Sequence, residues 1–92
     1  MNLYDTLFNW LQLKIVADHR PNDEAANISA NHMQKVLVEE HHVEITEVKQ
    51  ESGKYLIHYV KDGDQEIQEV QQELAEMLLQ FINDAPENYD IG

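Results

Sequence analysis

The sequence predicts a single α+β domain in the order α-α-β-β-β-α, with helices packed on one face of a three-stranded antiparallel meander. Apolar residues recur at helical spacing near both ends, and the middle of the chain alternates like a strand between two turn signals. A chain of 92 residues allows one domain. We expect the domain to cover residues 1–85 and residues 86–92 to form a loosely ordered tail.

The first helix is predicted over residues 2–17. Asn2 can cap it, Asp5 suits its positive first turn, and no glycine or proline interrupts it. Its apolar face is wider than one packing seam requires, so we expect it to be covered on two sides. That face comprises Leu3, Tyr4, Leu7, Phe8, Trp10, Leu11, Leu13, Ile15 and Val16.

A second helix is predicted over residues 23–40. Pro21 disfavours helix at the preceding Arg20, so a connection separates the two helices, and Asn22 is the predicted N-cap. The inner stripe of this helix is predicted to be Ala26, Ala30, Met33 and Leu37. The small alanines favour a close approach to a neighbouring element.

Three strands are predicted to follow. Val43 and Ile45 alternate with polar residues, and Val48 then breaks the phase, which predicts a bulge or a frayed end. Gly53 supplies the positive φ of a first hairpin turn, and Asp62-Gly63 is the strongest hairpin signal in the chain. The second strand covers residues 55–60, with Tyr55, Ile57 and Tyr59 on one face and Leu56, His58 and Val60 on the other. The third covers residues 65–70 and carries Ile67.

The last predicted helix spans about residues 71–84 and ends before Pro86. Its inner face is predicted from i, i+3, i+4, i+7 and i+8 spacing. The residues at those positions are Leu74, Met77, Leu78, Phe81 and Ile82.

The net charge of −12 is unevenly distributed and bears on partners. Residues 1–61 hold nine acidic and all six basic residues, whereas residues 62–92 hold nine acidic residues and no basic one. Such a chain lacks the positive surface that nucleic acids and anionic lipids require, so we expect neither as a partner. A basic protein stays possible. The N-terminus lacks signal-peptide features and the chain lacks cysteine, which together predict a cytoplasmic protein.

The residue patterns predict neither an enzyme nor a cofactor site. His41 and His42, with Glu44, are the best candidates for metal ligands, yet adjacent side chains at a helix end diverge and no HExxH-type spacing is present. Asp62, Asp64 and Glu66 begin like a calcium loop, which then fails at its glycine position. No serine lies in a nucleophile elbow, and no glycine-rich phosphate loop exists. We therefore expect no small-molecule substrate.

Two surfaces remain as functional hypotheses. The first is the wide apolar face of the first helix, which is either core or a homodimer interface formed by Phe8, Trp10, Leu13 and Val16. The second is an acidic surface formed by Asp62, Asp64, Glu66, Glu69, Glu73 and Glu76. We predict a non-catalytic interaction or regulatory module that acts as a homodimer. The alternatives are an acidic nucleic-acid mimic that inhibits a basic protein, and a small histidine-based metal-binding domain.

Overall fold

The computed structural model describes residues 2–84 and confirms the predicted α+β fold. Two helices, α1 (Leu3–His19) and α2 (Glu24–His41), precede the strands β1 (Val43–Glu51), β2 (Lys54–Lys61) and β3 (Asp64–Gln71), which are followed by the helices α3 (Gln72–Ala75) and α4 (Met77–Asp84). The strands form one antiparallel meander in the order β1-β2-β3. The predicted tail 86–92, including the stop at Pro86, lies outside the described residues.

Helix α1 is the centre of the domain. The side chain of Asn2 caps it as predicted, since Oδ1 accepts a hydrogen bond from the N–H of Asp5 at 2.8 Å. The helix packs against α2 on one side and against α3 and α4 on another, and it shares one core with the inner face of the sheet. Its buried residues therefore occupy most of its circumference: Thr6, Leu7, Trp10, Leu11, Ile15, Val16 and Ala17. The expectation that α1 is covered on two sides is confirmed.

Helix α2 begins one residue later than predicted, and Asp23 rather than Asn22 caps it. The N–H of Asp23 donates to the carbonyl of Arg20 at 2.9 Å, which closes a turn with Pro21 and Asn22 at its centre. The carboxylate of Asp23 accepts a hydrogen bond from the N–H of Ala26 at 3.0 Å. Asn22 lies at the centre of this turn and therefore does not act as the N-cap of α2. The predicted inner stripe is confirmed: Ala26, Ala30 and Leu37 are buried, and Met33 is half-buried.

The sheet follows the predicted pattern closely. One extra residue, Thr46, shifts the register between β1 and β2, which is the predicted bulge. Both hairpin turns have two central residues with positive φ: Ser52 (49°) and Gly53 (78°), then Asp62 (52°) and Gly63 (89°). This is the type I′ geometry that matches the twist of the flanking strands.

The two faces of β2 also separate as predicted. Tyr55, Ile57 and Tyr59 are buried beneath the helices, whereas the alternate residues are half-buried on the other face. The open face of the sheet therefore carries Leu56, His58 and Val60.

The last helix differs from its prediction in two respects. It is interrupted at Glu76 (φ −96°, ψ 3°), so α3 and α4 are separate segments. Its buried residues are Ala75, Leu79 and Ile82, with Leu78 half-buried. Of the predicted inner face, Leu74, Met77 and Phe81 are instead exposed.

Candidate interaction surfaces

The four residues predicted to form an interface on α1 take two different positions. Trp10 and Val16 are 5% and 1% exposed and pack in the core of one protomer, so their side chains offer almost no surface to a partner. Phe8 and Leu13 are half-buried. The apolar excess of α1 is thus largely buried within the domain, and Leu13 and Val16 line a groove beside it.

An apolar surface lies instead on the last helical segments. Leu74, Met77 and Phe81 are three and four residues apart, so they line one side of the segments, and they are 40%, 53% and 61% exposed. We call these three residues the α4 surface. Singly exposed apolar residues are ordinary, but a row of large ones on one helix side makes this a candidate interaction surface.

The α4 surface is continuous with a shallow groove. Leu78 lies next to Phe81 on the helix and lines this groove of about 190 Å³. The opposite walls come from α1 and the start of α2, and the lining is predominantly apolar: Leu13, Val16, Ala25, Ala26, Ser29, Leu78 and Ile82. The groove extends the apolar area from α4 to Leu13.

A polar contact explains why Met77 and Phe81 face outward. The hydroxyl of the buried Tyr55 donates to the Glu76 carboxylate at 2.6 Å, and the Gln72 side-chain amide donates to the same oxygen at 3.1 Å. Burial, and then the hydrogen bond to Glu76, raise the pKa of Tyr55 to about 12. Because Glu76 is held against the sheet, the helix turns its Leu79 side inward and its Met77 side outward.

The six predicted acidic residues do not form one row. They are Asp62 in the β2–β3 turn, Asp64, Glu66 and Glu69 in β3, Glu73 in α3, and Glu76 at the helix interruption. Glu66 shares a face with Tyr59, whose pKa is raised by burial and then by the Glu66 charge. Glu69 lies on the opposite face, where Lys54 Nζ donates to it at 2.8 Å. Since Glu76 is engaged by the core, a phosphate-like row gains no support from this geometry.

Strand β3 forms one edge of the sheet and is nearly fully exposed. From Asp64 to Glu69, only Gln68 is even half-buried, and Ile67 is 56% exposed. Its register with β2 is regular over all eight residues. Such an edge presents backbone N–H and C=O groups to solvent and is a template for another strand.

The two adjacent histidines proposed as metal ligands have different environments at the end of α2. His41 is half-buried, with Nε2 3.3 Å from the Thr6 hydroxyl, whereas His42 takes the left-handed conformation (φ 58°) that ends the helix and is exposed. Glu44 lies on β1 and is exposed. Within residues 2–84, no three or more histidine, aspartate or glutamate side chains are grouped to hold a metal ion.

A cleft of about 440 Å³ lies between α1 and β1. At its rim, Lys14 Nζ and the Asp18 carboxylate are 2.9 Å apart, and both side chains are about half exposed. The described residues that line the cleft include no histidine, serine or cysteine.

None of the helices in the described part of the chain has the length and apolar character needed to cross a membrane. No protein-family model, curated protein or solved structure matches this chain.

Proposed function

We propose that this protein is a non-catalytic protein–protein interaction module of the cytoplasm that forms a homodimer through the α4 surface. The observation that carries the proposal is the exposure of Leu74, Met77 and Phe81 on one side of the last helical segments. The groove beside Leu78 and Leu13 enlarges this apolar area. Of the interface residues predicted from the sequence, Leu13 and Val16 line this groove, and Leu13 is the half-buried one of the two.

The exposed area suits a weak dimer. Complete burial of a Leu, Met or Phe side chain stabilises by about 1.5–3 kcal/mol, so covering an exposed half gives about 1 kcal/mol. Three side chains from each of two copies then give about 6 kcal/mol, against an association cost of about 4 kcal/mol or more. The half-buried Leu13 and Leu78 of the groove add about 2 kcal/mol when both copies contribute, so we expect a dissociation constant of about 1 mM.

Two copies of this chain meet the least charge repulsion at the α4 surface. The net charge is −12, so most approaches of two copies bring carboxylates together. Residues 77–83 contain no ionisable side chain. A two-fold contact through α4 pairs these uncharged segments and keeps the acidic turns of the two copies apart.

Sedimentation equilibrium across 5 µM to 1 mM tests the dimer. We expect the average mass to rise from that of one 10.7 kDa chain towards twice that value. The double variant Met77→Glu with Phe81→Glu should stay monomeric, because four carboxylates would meet at the contact. Gln80→Glu is the control for added charge on the same helix, since Gln80 is exposed and lines a cleft with Gln72 and Glu73, and it should associate like the wild type apart from a small charge effect.

Two outcomes contradict the proposal. The first is a wild-type mass of one chain at every concentration. The second is self-association of the double variant with the same strength as Gln80→Glu. Circular dichroism of all three proteins controls for folding, and the exposure of the substituted side chains makes a folding defect unexpected.

A further inference from the structure

We propose that the free edge of β3 accepts an extended basic segment of a partner protein as a fourth strand. The proposal concerns a surface other than the α4 surface and does not depend on dimerisation. It gives a basic protein, the alternative partner considered from the sequence, a binding mode: strand addition, in which the backbone supplies affinity and alternate side chains supply specificity.

The hairpin turn determines which backbone groups of β3 point outward. In a two-residue type I′ hairpin the residues that flank the turn, here Lys61 and Asp64, form a hydrogen-bonded pair. Pairs then alternate along the ladder, so every second residue from Asp64 bonds to β2. The N–H and C=O groups of the remaining residues before the N-cap of α3 point away from the sheet: Gln65, Ile67 and Glu69.

The two edges of the sheet differ in their protection against strand addition. Natural edges are protected by proline, bulges or charged side chains, most often lysine, and the acidic residues of β3 oppose strands of like charge only. Strand β1 has the Thr46 bulge and Lys49, whereas β3 has a regular register and contains neither lysine nor proline. One outward carbonyl, that of Glu69, accepts from the Gln68 side chain at 3.0 Å on an exposed surface, a contact that an incoming strand can replace.

Charge selects the partner. Asp64, Glu66 and Glu69 lie on β3, and the turn before it adds Asp62. The cations of the neighbouring strand are engaged, Lys54 by Glu69 and Lys61 Nζ by the His41 carbonyl at 2.9 Å. Pairing of β3 with a second β3 would oppose like charges, which destabilises a sheet. An added strand that carries Lys or Arg meets opposite charges instead.

The pleat predicts the side-chain pattern of the partner segment. Ile67 lies on the open face, beside the half-buried Leu56 and Val60 of β2. A β-branched or aromatic residue next to Ile67 extends this apolar strip across a fourth strand. The segment that fits is therefore about six residues long, with basic side chains that alternate with at least one large apolar residue.

Binding of a synthetic probe tests the proposal. The probe is a fluorescein-labelled octapeptide in which Lys or Arg alternates with Val or Ile, measured by anisotropy. One control peptide has the same side chains with every backbone amide N-methylated, and a second has glutamate in place of each basic residue. We expect the probe to bind at micromolar to high-micromolar concentration and both controls to bind at least tenfold more weakly.

Hydrogen exchange of single amides locates the bound peptide. With saturating probe, the amides of Gln65, Ile67 and Glu69 should exchange at least tenfold more slowly. Those of Glu66 and Gln68, which already bond to β2, should change little. Ile67→Lys should weaken binding at least tenfold, and Gln50→Lys on β1, with the same change of charge, should weaken it less than threefold.

If the N-methylated peptide bound as tightly as the probe, attraction by charge alone would explain binding and the proposal would be overturned. Equal losses of probe affinity in Ile67→Lys and Gln50→Lys would overturn it as well. Absence of probe binding at 1 mM would also overturn it. The Met77→Glu, Phe81→Glu variant should bind the probe like the wild type, so failure of the dimer and failure of strand addition give different results.

Discussion

The hydrogen bond between Tyr55 and Glu76 should contribute measurably to stability, and its removal is the clearest test of how the last helix is held. Tyr55→Phe deletes only the hydroxyl, and Glu76→Gln keeps an acceptor but removes the charge. Tyr55 is 8% exposed and the O···O distance is 2.6 Å, the length of a charge-assisted bond.

The structure sets the expected magnitude. A hydrogen bond to a charged group contributes about 1.5–3 kcal/mol. Glu76 is only half-buried, and the Gln72 amide continues to bond to it at 3.1 Å, so the loss falls towards the lower end. We expect Tyr55→Phe to lower the free energy of unfolding by about 1–2 kcal/mol and Glu76→Gln by about 0.5–1 kcal/mol. In a domain of this size, 1 kcal/mol corresponds to a change in Tm of about 4–8 °C.

The same hydroxyl gives a pH signature with a definite sign. The pKa of Tyr55 is raised from 10.0 to about 12 in the folded state, so the unfolded chain releases the phenol proton first as pH rises. The stabilisation is complete below pH 10 and is lost as pH rises to about 12. Tyr55→Phe should remove this part of the pH dependence and leave that of Tyr59.

Urea unfolding, followed by the fluorescence of the single tryptophan, Trp10, measures these changes, because Trp10 is buried in the core. One protein concentration should be used throughout, since dimerisation shifts apparent stability. The double variant Tyr55→Phe with Glu76→Gln completes a mutant cycle. If the coupling energy is below about 0.3 kcal/mol, or if wild type and Tyr55→Phe lose stability equally between pH 10 and 12, the contact does not hold the helix as argued.

Two further predictions concern the ends of α2. Asp23→Ala should lower the free energy of unfolding by about 1 kcal/mol because it deletes the N-cap, whereas Asn22→Ala should change this free energy by less than about 0.5 kcal/mol. Equal effects of the two variants in thermal melts would contradict the assignment of Asp23 as the cap. His42→Gly should raise the free energy of unfolding by about 0.5–1 kcal/mol, since glycine adopts the left-handed conformation (φ 58°) without strain. A loss of stability would instead show that the His42 side chain makes a stabilising contact.

The sheet was predictable because its signals are local. Alternation, the phase break at Val48 and the glycines of two hairpins each specify a feature within a few residues, and all of them appear in the structure. The N-cap of α2 was missed for a local reason too, because a turn centred on Pro21 and Asn22 competes for the same residues.

The surfaces were less predictable because they depend on tertiary packing. The sequence did not decide whether the wide apolar face of α1 was core or interface. In the structure, α2, the sheet and the last helical segments together bury Trp10 and Val16. The apolar arc of the last helix includes both the Leu79 side and the Met77 side. Spacing alone does not say which side faces inward. The inward side is set by the hydrogen bond between Glu76 and Tyr55, which is about twenty residues away in sequence.

The contact that stabilises Tyr55 therefore also determines the composition of the α4 surface. With Glu76 held against β2, the small Ala75 is fully buried and Leu79 enters the core, which leaves Met77 and Phe81 outside. A rotation that buried Met77 would carry Glu76 away from the Tyr55 hydroxyl and leave that buried donor without its carboxylate, a costly exchange. An apolar surface can persist on a marginally stable domain when a polar contact on the opposite side of the helix prevents it from turning inward.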